Sequence, residues 1–248
     1  MMAGMKLRVF MSACILLFSS TIQAADHIWS RQGTVFYLIL GNEGVGHVKP
    51  RLVYSPDRTK WLKLDFRKGP GDGDAIPVVT LVTGSRKTPI PLNKDWAQVE
   101  ALWSPDSTSF ALTGAFNAYT NSTRILRITN GSVQRVPLNS LWQDMAATYP
   151  TCKAAKADAV DCRRDASGEG FNYAAVAWSN PSTAVVFSEV PCSSSWGGIM
   201  CQVEGYEFDI DTGRIVSRMS AREFKERWQA NLAWKLNIPD PPIWKRAR

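Results

Sequence analysis

The sequence predicts a mainly β protein built of antiparallel four-stranded units, with one amphipathic helix near the C-terminus. Three observations predict this fold class. A tetrapeptide recurs between apolar stretches. Turns that contain glycine separate stretches in which apolar and polar residues alternate. After residue 219 the apolar residues instead recur at every fourth position, as in a helix. The composition is typical of a soluble globular protein, because 45% of the 248 residues are hydrophobic and 21% are charged.

The recurring tetrapeptide is an aromatic residue followed by Ser-Pro-Asp. It occurs at Tyr54–Asp57 and at Trp103–Asp106, each time between two apolar stretches. Proline fixes φ near about −65° and aspartate bonds back to the backbone, so the tetrapeptide predicts a tight turn between strands. A degenerate copy runs over Val176–Pro181, and a fainter one over Ile28–Gly33.

Glycine turns mark the second half of each unit. Thr129-Asn130-Gly131 and Asp211-Thr212-Gly213 each stand between two alternating stretches, which predicts hairpins. The order of strand, Ser-Pro-Asp turn, strand, loop, strand, glycine turn and strand gives one four-stranded antiparallel unit.

This pattern resembles the WD-like β-propeller blades of the TolB type, which open with Trp-Ser-Pro-Asp-Gly and carry an Asp-x-x-Thr-Gly hairpin. The matching residues are Tyr54–Asp57, Trp103–Asp106 and Asp209–Gly213. The resemblance covers residues 28–219 loosely and residues 98–138 well. It implies a propeller-like fold with an incomplete ring, since three units are fewer than the four to eight blades of a closed propeller. It also suggests a role in protein interactions at the cell envelope.

The sequence departs from the family pattern in two ways. Arg58 and Ser107 stand where the motif has glycine, and the third copy lacks the aspartate. The aromatic residues that open the four copies are also 25, 49 and 75 residues apart, whereas blades repeat every ~40–45 residues. A β-sandwich or an irregular β fold that uses Ser-Pro-Asp turns is the alternative.

Two segments lie outside the repeated units. Residues 139–172 read as an insertion, with helix-permissive stretches at Ser140–Ala147 and Lys153–Ala157. Residues 220–238 read as a helix that starts with a capping box. Its apolar stripe recurs every fourth residue: Phe224, Trp228, Leu232 and Leu236. Pro239 is expected to end this helix and to begin an extended, proline-rich basic tail over 239–248.

Residues 1–24 predict a cleaved signal peptide, and hence a periplasmic or secreted protein. Lys6 and Arg8 precede an apolar run over Val9–Phe18, and Ala24 supplies a small residue at the expected cleavage point. The run is too short for a membrane-spanning helix of ~20 residues.

Four cysteines follow the leader, namely Cys152, Cys162, Cys192 and Cys201. In an exported protein an even number predicts two disulfides, and the spacing favours the local pairs Cys152–Cys162 and Cys192–Cys201 among three connectivities. The first pair would staple the 139–172 insertion. Zinc is the alternative, but no Cys-x-x-Cys occurs, and we predict neither a metal site nor a cofactor.

Positive charge concentrates at the C-terminus. After the leader the chain has 27 basic and 22 acidic residues, and Arg214–Arg248 alone holds nine basic and three acidic ones. This basic segment is a candidate for contact with an anionic surface. The alternative is a helix that docks on the β body and keeps its basic side in solvent. For an exported chain we predict no nucleic acid partner.

The candidate binding residue is Trp196, which lies among small residues between Cys192 and Cys201. A displayed tryptophan suits a contact surface, although the ring could equally cover a sheet edge. Asp-x-Asp pairs at 72/74 and 209/211 are interpreted as turn residues. No nucleophile-elbow or zinc-protease motif occurs, His47 is the one plausible imidazole base, and we predict no catalytic residue.

The sequence therefore favours an exported, non-enzymatic binding protein that mediates protein or cell-envelope interactions. The alternative is a secreted hydrolase or carbohydrate-active enzyme whose carboxylates are brought together by the fold.

Overall fold

The computed structural model describes residues 28–38, 52–68, 75–92, 96, 98–117, 120–148, 172–190 and 202–236. The predicted leader, the four cysteines, Trp196, His47 and the tail after residue 236 lie outside these ranges.

The described residues form three antiparallel sheets, which confirms the predicted β class and its four-stranded units. The first sheet contains β2 (Leu52–Tyr54), β3 (Lys60–Lys68), β4 (Ala75–Thr83) and β5 (Arg86–Pro91), in that order. The middle sheet contains β1 (Thr34–Leu38), β6 (Gln98–Trp103), β7 (Ser109–Asn117), β8 (Thr120–Thr129) and β9 (Ser132–Arg135). The third sheet contains β10 (Asn172–Asn180), β11 (Thr183–Glu189), β12 (Val203–Asp209) and β13 (Arg214–Ser220).

Both predicted glycine hairpins are confirmed. Asn130 and Gly131, with φ of 49° and 71°, form the two-residue connection between β8 and β9. Gly213 has φ of 67° in the turn between β12 and β13. Left-handed backbone is expected at these positions, because it fits the twist of the strands that such turns connect.

The faint copy at Ile28–Gly33 does not open a unit of its own. The strand that follows it, β1, pairs with β6, with Thr34 opposite Ala101 and Leu38 opposite Gln98. The middle sheet therefore has five strands, and its fifth strand comes from the beginning of the chain.

The three sheets stack face to face, with apolar residues between them. Successive side chains of β6 point to opposite faces of the middle sheet and so belong to two separate cores. Ala101 and Trp103 face the first sheet, whereas Leu102 faces the third. Between the first and middle sheets the core also includes Leu62, Leu64, Val79, Leu81, Phe110 and Leu112. Between the middle and third sheets it includes Ile125, Tyr173, Val186, Tyr206 and Phe208. Both faces of the middle sheet are thus covered.

Two α-helices occur among the described residues. The insertion begins with α1 (Asn139–Thr148), as predicted, and Leu141 and Met145 of α1 are fully buried between the middle and third sheets. The C-terminal helix α2 (Ala221–Trp228) has the predicted capping box, in which Ser220 accepts from Glu223 N and Glu223 accepts from Ser220 N. No helix of the described ranges is long and apolar enough to cross a membrane.

The prediction of one helix over 220–238 is wrong in its extent. After Trp228 the chain makes a short 3₁₀ turn over Gln229–Asn231, and Leu232 is extended, with ψ of 139°. Leu232 forms a β-bridge with Ser30, and Arg31 Nε donates to the Leu232 carbonyl at 2.8 Å. These bonds to a distant part of the chain replace those of a continued helix.

The predicted stripe is nevertheless buried for the most part. Phe224, Leu232 and Leu236 lie in the core on the outer face of the third sheet together with Trp29, whereas Trp228 is only partly buried. The docked-helix interpretation of the C-terminal region is therefore the one that the structure supports.

Candidate binding cleft

The two aromatic–Ser–Pro–Asp turns fold in the same way. Ser55 Oγ donates to Asp57 Oδ1 at 2.6 Å and accepts from the backbone N–H of Lys60 at 3.1 Å. The equivalent bonds around Ser104 measure 2.7 and 2.9 Å. The serine hydroxyl thus closes each turn and joins the ends of two consecutive strands.

A threonine two residues after the aspartate completes each turn. Thr59 donates its N–H and its hydroxyl to the Asp57 carboxylate, at 3.0 and 2.9 Å. Thr108 does the same to Asp106, at 3.1 and 2.7 Å. This threonine was not singled out from the sequence, although it occupies the same place in both copies. The structural motif is therefore Ser-Pro-Asp-x-Thr.

These bonds hold both aspartates in the ionised form. The hydroxyl of Ser55, followed by the backbone N–H of Thr59, keeps the pKa of Asp57 well below its usual range. Burial alone would raise the pKa of Asp106, but the bonds from Ser104 and Thr108 outweigh burial and lower it.

We expect stability to fall in acid because of these two carboxylates. A group whose pKa is depressed by folding stabilises the protein above its unfolded pKa, about 3.9 for aspartate, and loses that contribution as the pH falls further. The melting temperature should therefore fall as the pH is lowered below about 4, and it should continue to fall towards more acidic pH. The double variant Asp57→Asn, Asp106→Asn should start from a lower melting temperature and fall less. An equal fall in parent and variant would contradict this account.

The residue after each aspartate has left-handed backbone, with φ of 57° at Arg58 and 63° at Ser107. This is the position at which the TolB-type motif has glycine, so the departure from the motif carries a conformational cost of about 1–2 kcal/mol per residue. The turn geometry is kept despite the side chains.

Replacing Arg58 with glycine is expected to stabilise the protein. The free energy of unfolding should rise by a few tenths to about 1 kcal/mol. The strain energy relieved in the folded state exceeds the entropic cost that glycine adds by making the unfolded chain more flexible. Ser107→Gly is the matched comparison. Ser107 Oγ accepts a hydrogen bond from the backbone N–H of Asp57 at 3.0 Å. The Ser107→Gly variant loses this bond, and the loss offsets the stabilisation that comes from relieving the left-handed strain. Urea denaturation measures both variants. A destabilised Arg58→Gly protein would contradict the prediction.

The first two turns are joined across the sheets. Besides the bond between Asp57 N and Ser107 Oγ, the indole Nε1 of Trp103 donates to the carbonyl of Val53 at 3.2 Å. The ends of β2 and β6 are thereby fixed side by side, and so are their aromatic residues Tyr54 and Trp103.

The third copy makes a shorter turn. Trp178 lies opposite Ala184, six residues on, whereas Trp103 lies opposite Phe110, seven residues on. Asn180 replaces the aspartate as the acceptor, and its Oδ1 receives the N–H of Ser182 at 2.9 Å. The third aromatic residue therefore reaches the same end of the stack by a different turn.

The three aromatic residues of the repeat meet around one cleft of about 380 Å³. Tyr54 and Pro56 come from the first turn, Trp103 and Pro105 from the second, and Trp178 from the third sheet. The wall is completed by Gln32, Thr34, Val53, Ala101 and Leu102. None of these side chains is charged.

The aromatic residues differ in what they offer to a ligand. Tyr54 is 52% exposed, whereas Trp103 and Trp178 are each 8% exposed. The indole N–H of Trp103 is bonded to Val53, but the buried Nε1 of Trp178 has no acceptor among the described residues. The cleft thus combines one exposed ring and two buried rings.

Glu100 positions the segment that carries Gln32 and leads into β1 at Thr34. Its buried carboxylate accepts from the backbone N–H groups of Ile28, Trp29 and Ser30, at 2.6, 3.0 and 2.9 Å. Gly33 allows this approach, because a Cβ at residue 33 would lie 2.3 Å from Glu100 Oε1. We call residues 28–33 the N-terminal strap.

Glu189, whose carboxyl is partly buried, lies elsewhere. Burial raises the pKa of Glu189, and a bond from Asn172 at 3.3 Å lowers it only in part. Glu189 and Asn172 lie at the opposite end of the β10–β11 pair from Trp178, so they are not part of the cleft. No group of three or more potential metal ligands occurs in the described part of the chain.

The site residues predicted from sequence have mixed outcomes. Trp196, Asp72 and Asp74 lie outside the described residues. Asp209 is a turn residue, as predicted, because its Oδ1 accepts the N–H groups of residues 211 and 212 at 2.8 and 2.7 Å. The cleft itself was not predicted, because the sequence does not indicate that the three repeat aromatics converge.

The cysteine pairing remains a prediction, since all four cysteines lie outside the described residues. Non-reducing peptide mapping of the protein should find Cys152 joined to Cys162, and Cys192 joined to Cys201. Free thiols or crossed pairs would show that the assignment is wrong.

Comparison with known proteins does not assign the chain to a family. No family model and no curated protein matches the chain. A function has to follow from the cleft itself.

Proposed function

We propose that the protein is an exported, non-enzymatic binding protein whose cleft takes up an uncharged segment of a partner protein or of another envelope component. The observation that carries this proposal is the meeting of Tyr54, Trp103 and Trp178 around one uncharged cleft. Rigid aromatic side chains supply a large contact area, and they dominate the binding energy of many interfaces. Export rests on the predicted leader over residues 1–24.

We further propose that the three sheets are blade-like units of an open, propeller-like arc. The supporting features are the shared strand order, the equivalent turns at one end and the apolar cores between successive sheets. In this arrangement the cleft lies where the first strands of the units, β2, β6 and β10, come together.

The hydrolase alternative has less support from the site. Asp57 and Asp106 are bonded within their turns, and Glu100 is bonded to the N-terminal strap. No carboxylate is among the described residues that line the cleft. Two carboxylates facing one another across a substrate site, as a glycosidase requires, are not brought together there.

Capture from envelope extract tests the proposed binding. The parent protein is compared with Tyr54→Ser in the cleft and with Val216→Ser, which changes another exposed apolar side chain, 63% exposed on β13. We expect partners recovered by the parent to fall at least tenfold, about 1.4 kcal/mol, with Tyr54→Ser and to persist with Val216→Ser. Equal recovery by all three proteins would reject the cleft as the binding site.

A further inference from the structure

Four basic side chains lie on the edge strands β5 and β9 or on the neighbouring strand β8: Arg86, Lys87, Arg124 and Arg135. We call this group the basic edge. Arg86, Lys87 and Arg135 are exposed, and Arg124 is partly buried. No Asp or Glu occurs in residues 75–94 or 107–143, which contain these strands. The charge of the basic edge is therefore uncompensated along its own strands.

Hydrogen bonds from two of these arginines join the two ends of β5 to β9 and to β8 of the middle sheet. Near one end, Arg86 Nη2 lies 3.4 Å from Ser132 Oγ. Near the other, Arg124 Nη1 donates to the carbonyl of Pro91 at 2.7 Å. The six residues of β5 extend over about 17 Å at ~3.3 Å per residue, so the charges are spread along a line.

None of the four cations forms an ion pair with a described residue, whereas neighbouring Arg127 pairs with Asp211. Arg124 lies 5.0 Å from the centroid of the Trp96 ring, which orients its guanidinium. Burial, followed by the charge of Arg135, lowers the pKa of Arg124. Like charges held together without a carboxylate favour an external anion.

The chemistry of the edge limits the kind of partner. Pro89 and Pro91 have no N–H to offer, so β5 is poorly suited to receive another strand. The exposed large hydrophobic residues among those described are Leu52, Tyr54 and Val216, and none belongs to the basic edge. The edge suits a flat anionic surface that it touches without inserting.

We propose that the basic edge holds the protein against an anionic phospholipid bilayer by binding headgroup phosphates. The guanidinium fork fits phosphate oxygens, and each basic residue near such a surface contributes about 1 kcal/mol. In the first sheet β2 lies at the opposite edge from β5, three strands or about 14 Å away, so the cleft stays open while the edge is on the bilayer. This surface is distinct from the basic C-terminal segment.

Vesicle binding by the full mature chain tests this proposal at low salt. The vesicles contain phosphatidylcholine alone or with about 30% phosphatidylglycerol. The edge variant is Lys87→Gln, Arg135→Gln. Neither of these two side chains forms a hydrogen bond or an ion pair with a described residue, so the variant removes charge without breaking such a bond. The control is Arg222→Gln, Lys225→Gln on α2, which removes the same charge. Melting temperatures establish that both variants fold.

We expect the parent to bind only the anionic vesicles and to be released by salt. The edge variant should bind at least tenfold more weakly, since two contributions of about 1 kcal/mol correspond to roughly thirtyfold. The control should stay within about twofold of the parent. Equal losses in both variants, a loss in the control alone, binding to neutral vesicles, or no binding by the parent would each overturn the proposal.

Discussion

Glu100→Ala is expected to lower the free energy of unfolding by about 3–5 kcal/mol. The carboxylate accepts three backbone N–H groups of the N-terminal strap, from Ile28, Trp29 and Ser30. A buried N–H left without an acceptor costs about 1–3 kcal/mol, and the alanine also leaves a cavity beside Gly33. Part of the loss would be relieved by local release of the strap.

Urea denaturation measures this loss, with Glu223→Ala as the matched control. Glu223 also accepts a backbone N–H, that of Ser220 at 2.7 Å, but it is exposed on α2. Its removal should cost no more than about 1 kcal/mol. Equal losses in the two variants would mean that Glu100 does not anchor the strap.

Phe224→Ala should have an effect of similar size, about 3–5 kcal/mol. The Phe224 ring is fully buried against Gly205, where an added Cβ would lie 2.0 Å from Phe224 Cδ2. The ring also lies 6.0 Å from that of Phe187, between α2 and the third sheet.

Trp228→Ala gives the comparison on the same helix. From the sequence alone, Trp228 and Phe224 belong to one apolar stripe, and their replacement by alanine would be expected to lower the free energy of unfolding by similar amounts. In the structure Trp228 is partly exposed and lies at the last residue of α2, so its replacement should cost clearly less. Thermal melts of both variants decide between these expectations. A greater loss with Trp228→Ala would contradict the packing described for α2.

The parts of the fold that were predicted correctly depend on neighbours in sequence. The hairpin at Asn130-Gly131 and the capping box at Ser220–Glu223 are complete within four residues, so the local pattern is sufficient. The helix after Trp228 was predicted too long because Leu232 forms a β-bridge with Ser30, about two hundred residues earlier. Propensity and period contain no information about such a partner.

The same distinction applies to the candidate site. Each Ser-Pro-Asp turn could be predicted, since Ser55 and Asp57 close it locally. The cleft could not, because it needs Trp178 to come beside Tyr54 and β1 to pair with β6. The left-handed backbone of Arg58 also became visible only in the structure, although glycine at the same place in the TolB-type motif was a signal.

The most direct test of the binding cleft is site-specific photo-crosslinking in the native host. A benzophenone amino acid is placed at position 54, in the cleft, or at position 216, on β13, as the control. We predict that a defined cross-linked partner forms from position 54 and not from position 216, and that it disappears when Trp178→Ala opens the wall of the cleft. The same product from both positions, or a product from position 216 alone, would contradict the assignment of this cleft as the binding site.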